Sequence, residues 1–251
     1  MAILQSSFPY DPLERRPLPG IAPLDPDKWL WIDDAYTGQI GEKTRLLKER
    51  RSEVLMQDSV ANDACEELLE VVLAHLLRDH SGFSREGSQI TCPDDRVVSA
   101  QGAPLEVLSQ LVQEDFCVLQ KLPGQEEHIL TAGLLAFPAS WRLSDKFMQP
   151  LTLIHVPVDS YDVNIARRVQ RLFDGIQAGR PLWRYNALWY QDATLHQPRS
   201  AGETRPFCDS GASYLRSERQ TLLRLPQTQA VVFGIHTFVV AQDAMASAKD
   251  H

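Results

Sequence analysis

Tyr214-Leu215-Arg216-Ser217-Glu218-Arg219-Gln220-Thr221-Leu222 sets two arginines and a glutamate within four residues, shortly before the apolar run Ala230-Val231-Val232-Phe233-Gly234-Ile235. A charge that enters a core must be paired or used, because a lone buried charge is very costly. Read as a strand from about Tyr214 to Leu225, the stretch puts Tyr214, Arg216, Glu218 and Gln220 on one face. Leu215, Ser217, Arg219 and Thr221 then share the other. Pro226 to Gln229 supplies a turn, and Ala230 to Val240 returns as the second strand of a hairpin. The missing alternation in 231–235 predicts a strand covered on both faces. Arg216 and Glu218 projecting side by side suit a pocket in which a carboxylate binds a cation or relays a proton while a guanidinium holds an anion. A structural Arg–Glu pair at a sheet edge accounts for the same pattern.

Upstream of the hairpin, the periodicity predicts an α+β chain. Residues 8–27 are rich in proline and read as an extended arm lying over the domain. Trp29 to Ile32 give an apolar anchor, and Asp33-Asp34 lead into a helix running to about Val54. Cys65, Leu68, Leu69, Val72, Leu73, Leu76 and Leu77 recur at three and four residues, which predicts a helix over 62–78. Pro104 is a favourable first helical position for a short helix with Leu105, Leu108, Leu111 and Val112 inward. Phe116–Leu119 and Ile129–Phe137 read as strands, with Pro123–Glu126 turning between them. A helix follows over about 161–178, with Gly179 as its stop. Helices first, then antiparallel strands with one interposed helix, is an α+β order rather than alternating βαβ units.

Composition excludes several classes. The 251 residues are 43% hydrophobic and 23% charged, with a net charge of -8. An electrostatic nucleic-acid binder would carry a basic stripe instead. No run approaches the roughly 18 apolar residues of a membrane span, and the start of the chain lacks the basic and apolar regions of a signal peptide. Cys65, Cys92, Cys117 and Cys208 form no Cys-x-x-Cys pair, which argues against a zinc or iron–sulfur site and fits free thiols in a reducing cytoplasm. Phosphate-loop, nucleophile-elbow and zincin motifs are absent.

Three further stretches carry candidate chemistry. His155 lies in Ile154-His155-Val156-Pro157-Val158. A neutral imidazole among apolar residues can ligate a metal or haem through one nitrogen while a carbonyl or carboxylate orients the other. The alternative is a core histidine satisfied by backbone. Phe137-Pro138-Ala139-Ser140-Trp141, followed by Lys146, can wall a pocket for a flat ligand, or simply close a turn. Arg184-Tyr185-Asn186 is a possible pocket edge. His236, on the return strand with Val232, Gly234 and Phe238 on its face, is the rival ligand to His155. His75 and His80 read as surface or capping groups.

Taken in order, Pro23-Leu24-Asp25-Pro26-Asp27-Lys28-Trp29-Leu30, Phe137-Pro138 to Trp141, Lys146, Ile154 to Val158, Tyr214 to Leu222, Arg224-Leu225-Pro226 and Phe233 to Thr237 resemble the haem-dependent oxidative N-demethylase family, whose best-known member acts on dimethylamine. The resemblance implies a PAS-like antiparallel sheet with N-terminal helices and a Pro-rich arm. Residues 1–28 would form the arm and 29–251 a single haem-binding catalytic domain. It also implies haem b, dioxygen, a small methylated amine as substrate, formaldehyde as product, and electrons from a separate NADPH-linked flavin and iron–sulfur reductase. On that basis His155 is the expected iron ligand. Lys146, Trp141, Asn186 and, as rival, His236 are the expected cofactor contacts, and Glu218, Arg216 and Arg219 the polar catalytic group. The sequence departs from the family pattern at Arg184-Tyr185-Asn186-Ala187, where a Trp is expected after Asn, and at Phe147-Met148-Gln149-Pro150, which lacks an expected glycine. The lost Trp is expected to reshape the pocket. A haem-based sensor or gas-binding module, and a haem-free non-catalytic homologue, are the rival functions. PAS-like folds serve sensing as readily as catalysis.

Overall fold

A computed structural model describes residues 2–14, 20–155, 163–199 and 211–247, without the side chains of 155, 163–167 and 246–247. In chain order the elements are β1 (Ala22–Pro23), α1 (Tyr36–Val54), β2 (Leu55–Gln57), α2 (Asn62–Asp79), β3 (Ser84–Glu86), β4 (Gln89–Thr91), β5 (Val97–Ser99), α3 (Pro104–Leu111), β6 (Asp115–Gln120), β7 (Ile129–Leu134), α4 (Leu143–Lys146), α5 (Leu151–His155), α6 (Val163–Gly175), β8 (Leu182–Tyr190), β9 (Tyr214–Arg224), β10 (Val231–Ala241) and α7 (Gln242–Ser247). Seven strands form one antiparallel sheet in the order β1-β8-β9-β10-β6-β7-β2, and β3-β4-β5 form a small second sheet.

The large sheet is covered on both sides, as the unalternating apolar run in β10 requires. On one side Phe116, Val118, Ala132 and Val232 pack against Tyr36 and Ile40 of α1, Leu68 to Leu76 of α2, and Leu105 to Leu111 of α3. On the other, Cys117, Leu119, Leu222 and Ile235 meet Leu143 of α4, Leu151 of α5 and Phe173 of α6. The apolar stripe of α2 follows from its spacing. Its Glu67 is buried and accepts from Gln227 N, Thr228 N and Thr228 Oγ1 at 2.6, 2.7 and 2.6 Å. That carboxylate satisfies the backbone of the β9–β10 turn, where Gln229 has φ 60°.

The expected helices of the first half and the terminal hairpin are present, shifted by a few residues at most. The helix expected over 161–178 runs from Val163 to Gly175, and Gly179 serves a later turn at φ 75°. β8 is a strand where the sequence suggested only a pocket edge. Polar and aromatic residues occur on both of its faces, so it lacks the apolar–polar alternation that marks a half-buried strand.

Residues 2–14 lie against the sheet's end. Gln5 N donates to Val239 O at 2.9 Å, and Gln5 Oε1 accepts from Val239 N at 2.8 Å. Tyr10 stacks on Tyr185 with ring centroids 4.6 Å apart.

Candidate active site

The β8–β9–β10 register fixes what each face presents. Asn186 pairs with Glu218 and Arg184 with Gln220 across β8 and β9. Ile235 pairs with Gln220 and Phe233 with Leu222 across β9 and β10. These residues share the face toward α4, α5 and α6, where a cavity of about 330 Å³ opens. That lies at the lower end of small-molecule sites. Its walls are apolar: Leu119, Leu130 and Phe233 from the sheet, Leu151 and Ile154 from α5, Leu172 and Phe173 from α6, and Trp141 from the loop before α4. The polar groups reaching it are Lys146, Arg184, Asn186, Glu218 and Gln220.

Glu218 is 6% exposed and has no ion pair among the described residues. Asn186 Nδ2 and Gln220 Nε2 both donate to its Oε2, at 3.1 and 3.0 Å. Asn186 Oδ1 in turn accepts from Glu218 N at 3.2 Å. The carboxylate is therefore held by its neighbours on one oxygen, and Oε1 has no hydrogen-bond partner among the described residues. A buried carboxylate with a free oxygen is a receptor for a cation or a donor.

Lys146, on α4, donates to Ile154 O at 2.5 Å, and its Nζ lies 5.2 Å from the Trp141 ring centroid. Burial pulls its ammonium below the ordinary lysine range, while Cys117 and Asp145 pull the other way. Cys117 itself is pushed up to about 12 by burial, and next by Asp115. It is a thiol in the cavity wall rather than a nucleophile.

His155 closes α5, one residue beyond Ile154 and four beyond Leu151, both of which line the cavity. Its side chain, and Val156 to Val158 after it, lie outside the described residues.

The structure takes the other expected site residues away from the cavity. Arg219 is on the opposite face, as the alternation predicts. It donates to Trp29 O at 2.9 Å and to Lys28 O, and its guanidinium lies 5.9 and 5.8 Å from the rings of Trp31 and Trp183. Arg216 shares the Glu218 face but turns to Leu195 O and Phe137 O, at 2.9 and 2.7 Å. Both arginines tie loops to β9. Phe137, expected in the aromatic wall, packs with Leu46, Val54 and Val239 instead.

His236, the rival ligand, lies on the face away from the cavity, paired with Arg219 and fully buried. Its Nδ1 lies 3.1 Å from Glu114 Oε1 and its Nε2 3.0 Å from Asp33 Oδ2. With a carboxylate on each ring nitrogen, the imidazole has no nitrogen left for iron. Burial alone would depress the His236 imidazolium; Glu114 and Asp33 reverse that and raise it above the ordinary histidine value.

Two further expectations are corrected. His75 is buried, 2.9 Å from Asp79, because its position falls on the inward stripe of α2. Ala187, at the position of the expected Trp, pairs with Ser217 on the face away from the cavity. Tyr10 donates there to Ser217 Oγ at 2.9 Å, Ser217 itself donating to Asn186 O. Loss of the Trp therefore leaves the cavity wall untouched.

The chain thus presents an α+β fold whose large antiparallel sheet carries a cavity lined by apolar side chains, one buried carboxylate and two cationic side chains. A family model described as haem-dependent oxidative N-demethylase, alpha subunit-like, matches residues 20–250, and the chain belongs to that family. Haem dependence and an oxidoreductase role come with the family's description. No helix among the described residues is long and apolar enough to cross a membrane.

Haem suits these residues. The lining is of the kind a macrocycle needs, largely apolar, and Lys146, with one hydrogen bond among the described residues, to Ile154 O, keeps N–H donors for a propionate.

Proposed function

We propose that the chain is a haem-dependent monooxygenase that removes a methyl group from a small methylated amine as formaldehyde. The reading is supported above all by Glu218: a buried carboxylate with one oxygen fixed by Asn186 and Gln220 and the other without a partner among the described residues, in a cavity whose walls are mostly apolar. Desolvated carboxylate–ammonium contacts are charge-assisted and strong. On this reading the sheet is a PAS-like haem domain in which His155 would hold the iron and Lys146 and Trp141 would contact the cofactor. Haem b, with electrons from an external NADPH-linked flavin and iron–sulfur reductase, supplies the dioxygen activation that oxidises the N-methyl carbon.

The protein's own groups do the rest. Glu218 Oε1 holds the ammonium N–H and so fixes which end of the amine faces inward. Asn186 and Gln220 keep the carboxylate from swinging away. Leu119, Leu130, Leu172 and Phe173 exclude water from the methyl carbon. Once that carbon carries a hydroxyl, the carbinolamine splits its C–N bond. Glu218 can carry the hydroxyl proton to the nitrogen as the amine and formaldehyde separate.

The test is the absorption spectrum of the protein reconstituted with haem, followed by formaldehyde release with reductant, dioxygen and dimethylamine. His155→Ala is expected to lose the histidine-ligated Soret spectrum. Glu218→Gln is expected to keep haem and weaken amine binding by ~10–100-fold, the worth of a hydrogen bond to a charged group. Haem binding without formaldehyde from wild type would convert the reading to a haem-based sensor or gas-binding module. No haem uptake would leave a non-catalytic homologue.

A further inference from the structure

Arg184 is the one cationic side chain at the cavity whose guanidinium makes no hydrogen bond or ion pair among the described residues. Its Nε is fully buried and unpartnered. That donor is costly where it stands, because a buried N–H of a charged group without a partner loses its hydration for nothing. Lys146, the other cation of the cavity, already donates to Ile154 O and comes from α4, outside the sheet.

Arg184 is paired with Gln220 across β8 and β9, one step diagonal from Glu218. Diagonal neighbours on one face of an antiparallel pair stand ~7–8 Å apart. Burial lowers the Arg184 guanidinium below its ordinary value, with only the Glu218 charge acting against it. Yet Glu218 accepts from Asn186 and Gln220 and forms no ion pair with Arg184. Two opposite charges are thus held on one wall, each with an unused hydrogen-bonding edge toward the same space.

We propose that Arg184 receives a carboxylate, and that Arg184 and Glu218 together make the cavity a receptor for a zwitterion: an N-methylated amino acid rather than a simple methylamine. This rests on the demethylase reading only for the fate of the methyl group; the recognition stands on Arg184 and Glu218 alone. A short amino acid carries its ammonium and carboxylate a few bonds apart. It spans the gap with one ~3 Å hydrogen bond at each end. A planar guanidinium is suited to a carboxylate through two parallel N–H donors. Dimethylamine has nothing to offer Arg184 and leaves its buried Nε without a partner.

Two carboxylates could fill the role, that of the substrate or a haem propionate, and the experiment separates them. The haem-reconstituted full chain is titrated calorimetrically with N,N-dimethylglycine and with dimethylamine, and haem occupancy is read from the Soret band. Wild type is expected to bind dimethylglycine ~10–100-fold more tightly than dimethylamine. Arg184→Gln is expected to bring that ratio close to one, and Arg184→Lys to retain part of it, both at wild-type haem occupancy. Equal affinity of wild type for the two ligands overturns the proposal. So does a ratio that survives Arg184→Gln, or an Arg184→Gln protein that loses haem in step with any change in affinity, which would assign the carboxylate to the cofactor. If the ratio and its Arg184 dependence hold but no formaldehyde forms from dimethylglycine with reductant and dioxygen, the zwitterion receptor stands and the demethylase reading falls.

Discussion

Two carboxylates and one imidazole, buried together, set a pH signature that belongs to single residues. His236 is raised by Glu114 and Asp33 once burial is overcome. Glu114 and Asp33 are each lowered, His236 overcoming the opposing effect of burial. A raised histidine contributes stability that is complete below its unfolded value of about 6.5 and disappears as pH climbs through the folded value. Lowered carboxylates contribute above their unfolded values of about 4 and lose it as pH falls through the folded ones. The network is therefore worth most between about pH 4 and 6.5. Thermal melts of wild type and His236→Gln should differ most in that window, and the gap should narrow on the alkaline side. A gap independent of pH would show the histidine to be neutral in the fold. Strand alternation alone separated Arg216 and Glu218 from Arg219 and grouped His236 with Val232, Gly234 and Phe238. It could not say which face holds the cavity, since that depends on α4 to α6, brought in from distant sequence. Arg184 and Asn186 are two residues apart, the spacing of one strand face, but the aromatic-rich surroundings of β8 hid the strand that uses it.

At the level of elements, the sheet's centre depends on close strand approach. A Cβ at Gly234 of β10 would stand 2.6 Å from Thr221 Oγ1 of β9 and 3.5 Å from the Phe116 ring of β6. Gly234→Ala should cost about 1–3 kcal/mol, the usual penalty for overpacking a core. Urea denaturation should show it as a lower midpoint at unchanged slope, and a midpoint equal to wild type would mean that β9 and β10 part more easily than their eleven-residue lengths suggest. The long helices and the terminal hairpin were legible because each has a period or a turn signal of its own. β2 and the three-residue strands β3, β4 and β5 were not. So short a segment is fixed by the strand it pairs with, not by its own pattern.

Across the whole molecule, the start of the described chain is tied to its far end. Gln5 Nε2 donates to Asp33 Oδ2 and to Thr237 O, both at 3.1 Å, beside the backbone bond from Gln5 N to Val239 O and the bond from Val239 N to Gln5 Oε1. Gln5→Ala removes the side-chain partner of Val239 N, a buried donor, and should lower stability by about 1–3 kcal/mol, read as the free energy of unfolding. A loss confined to the residues before Asp33 in amide exchange would show the segment to be a local attachment instead. The sheet carries the same long-range logic further. β10 is the fourth strand of seven in space but the last of them in sequence. Until the ribosome has delivered it, β1-β8-β9 and β2-β7-β6 are two separate ribbons, each with an open edge facing the other. The cavity wall that carries Phe233 and Ile235 does not exist before then. Capture of any cofactor or ligand between the sheet and α4 to α6 must therefore follow synthesis of residue 241, and a nascent chain stalled short of it presents two unpaired β edges to its neighbours, the surface most prone to aggregate.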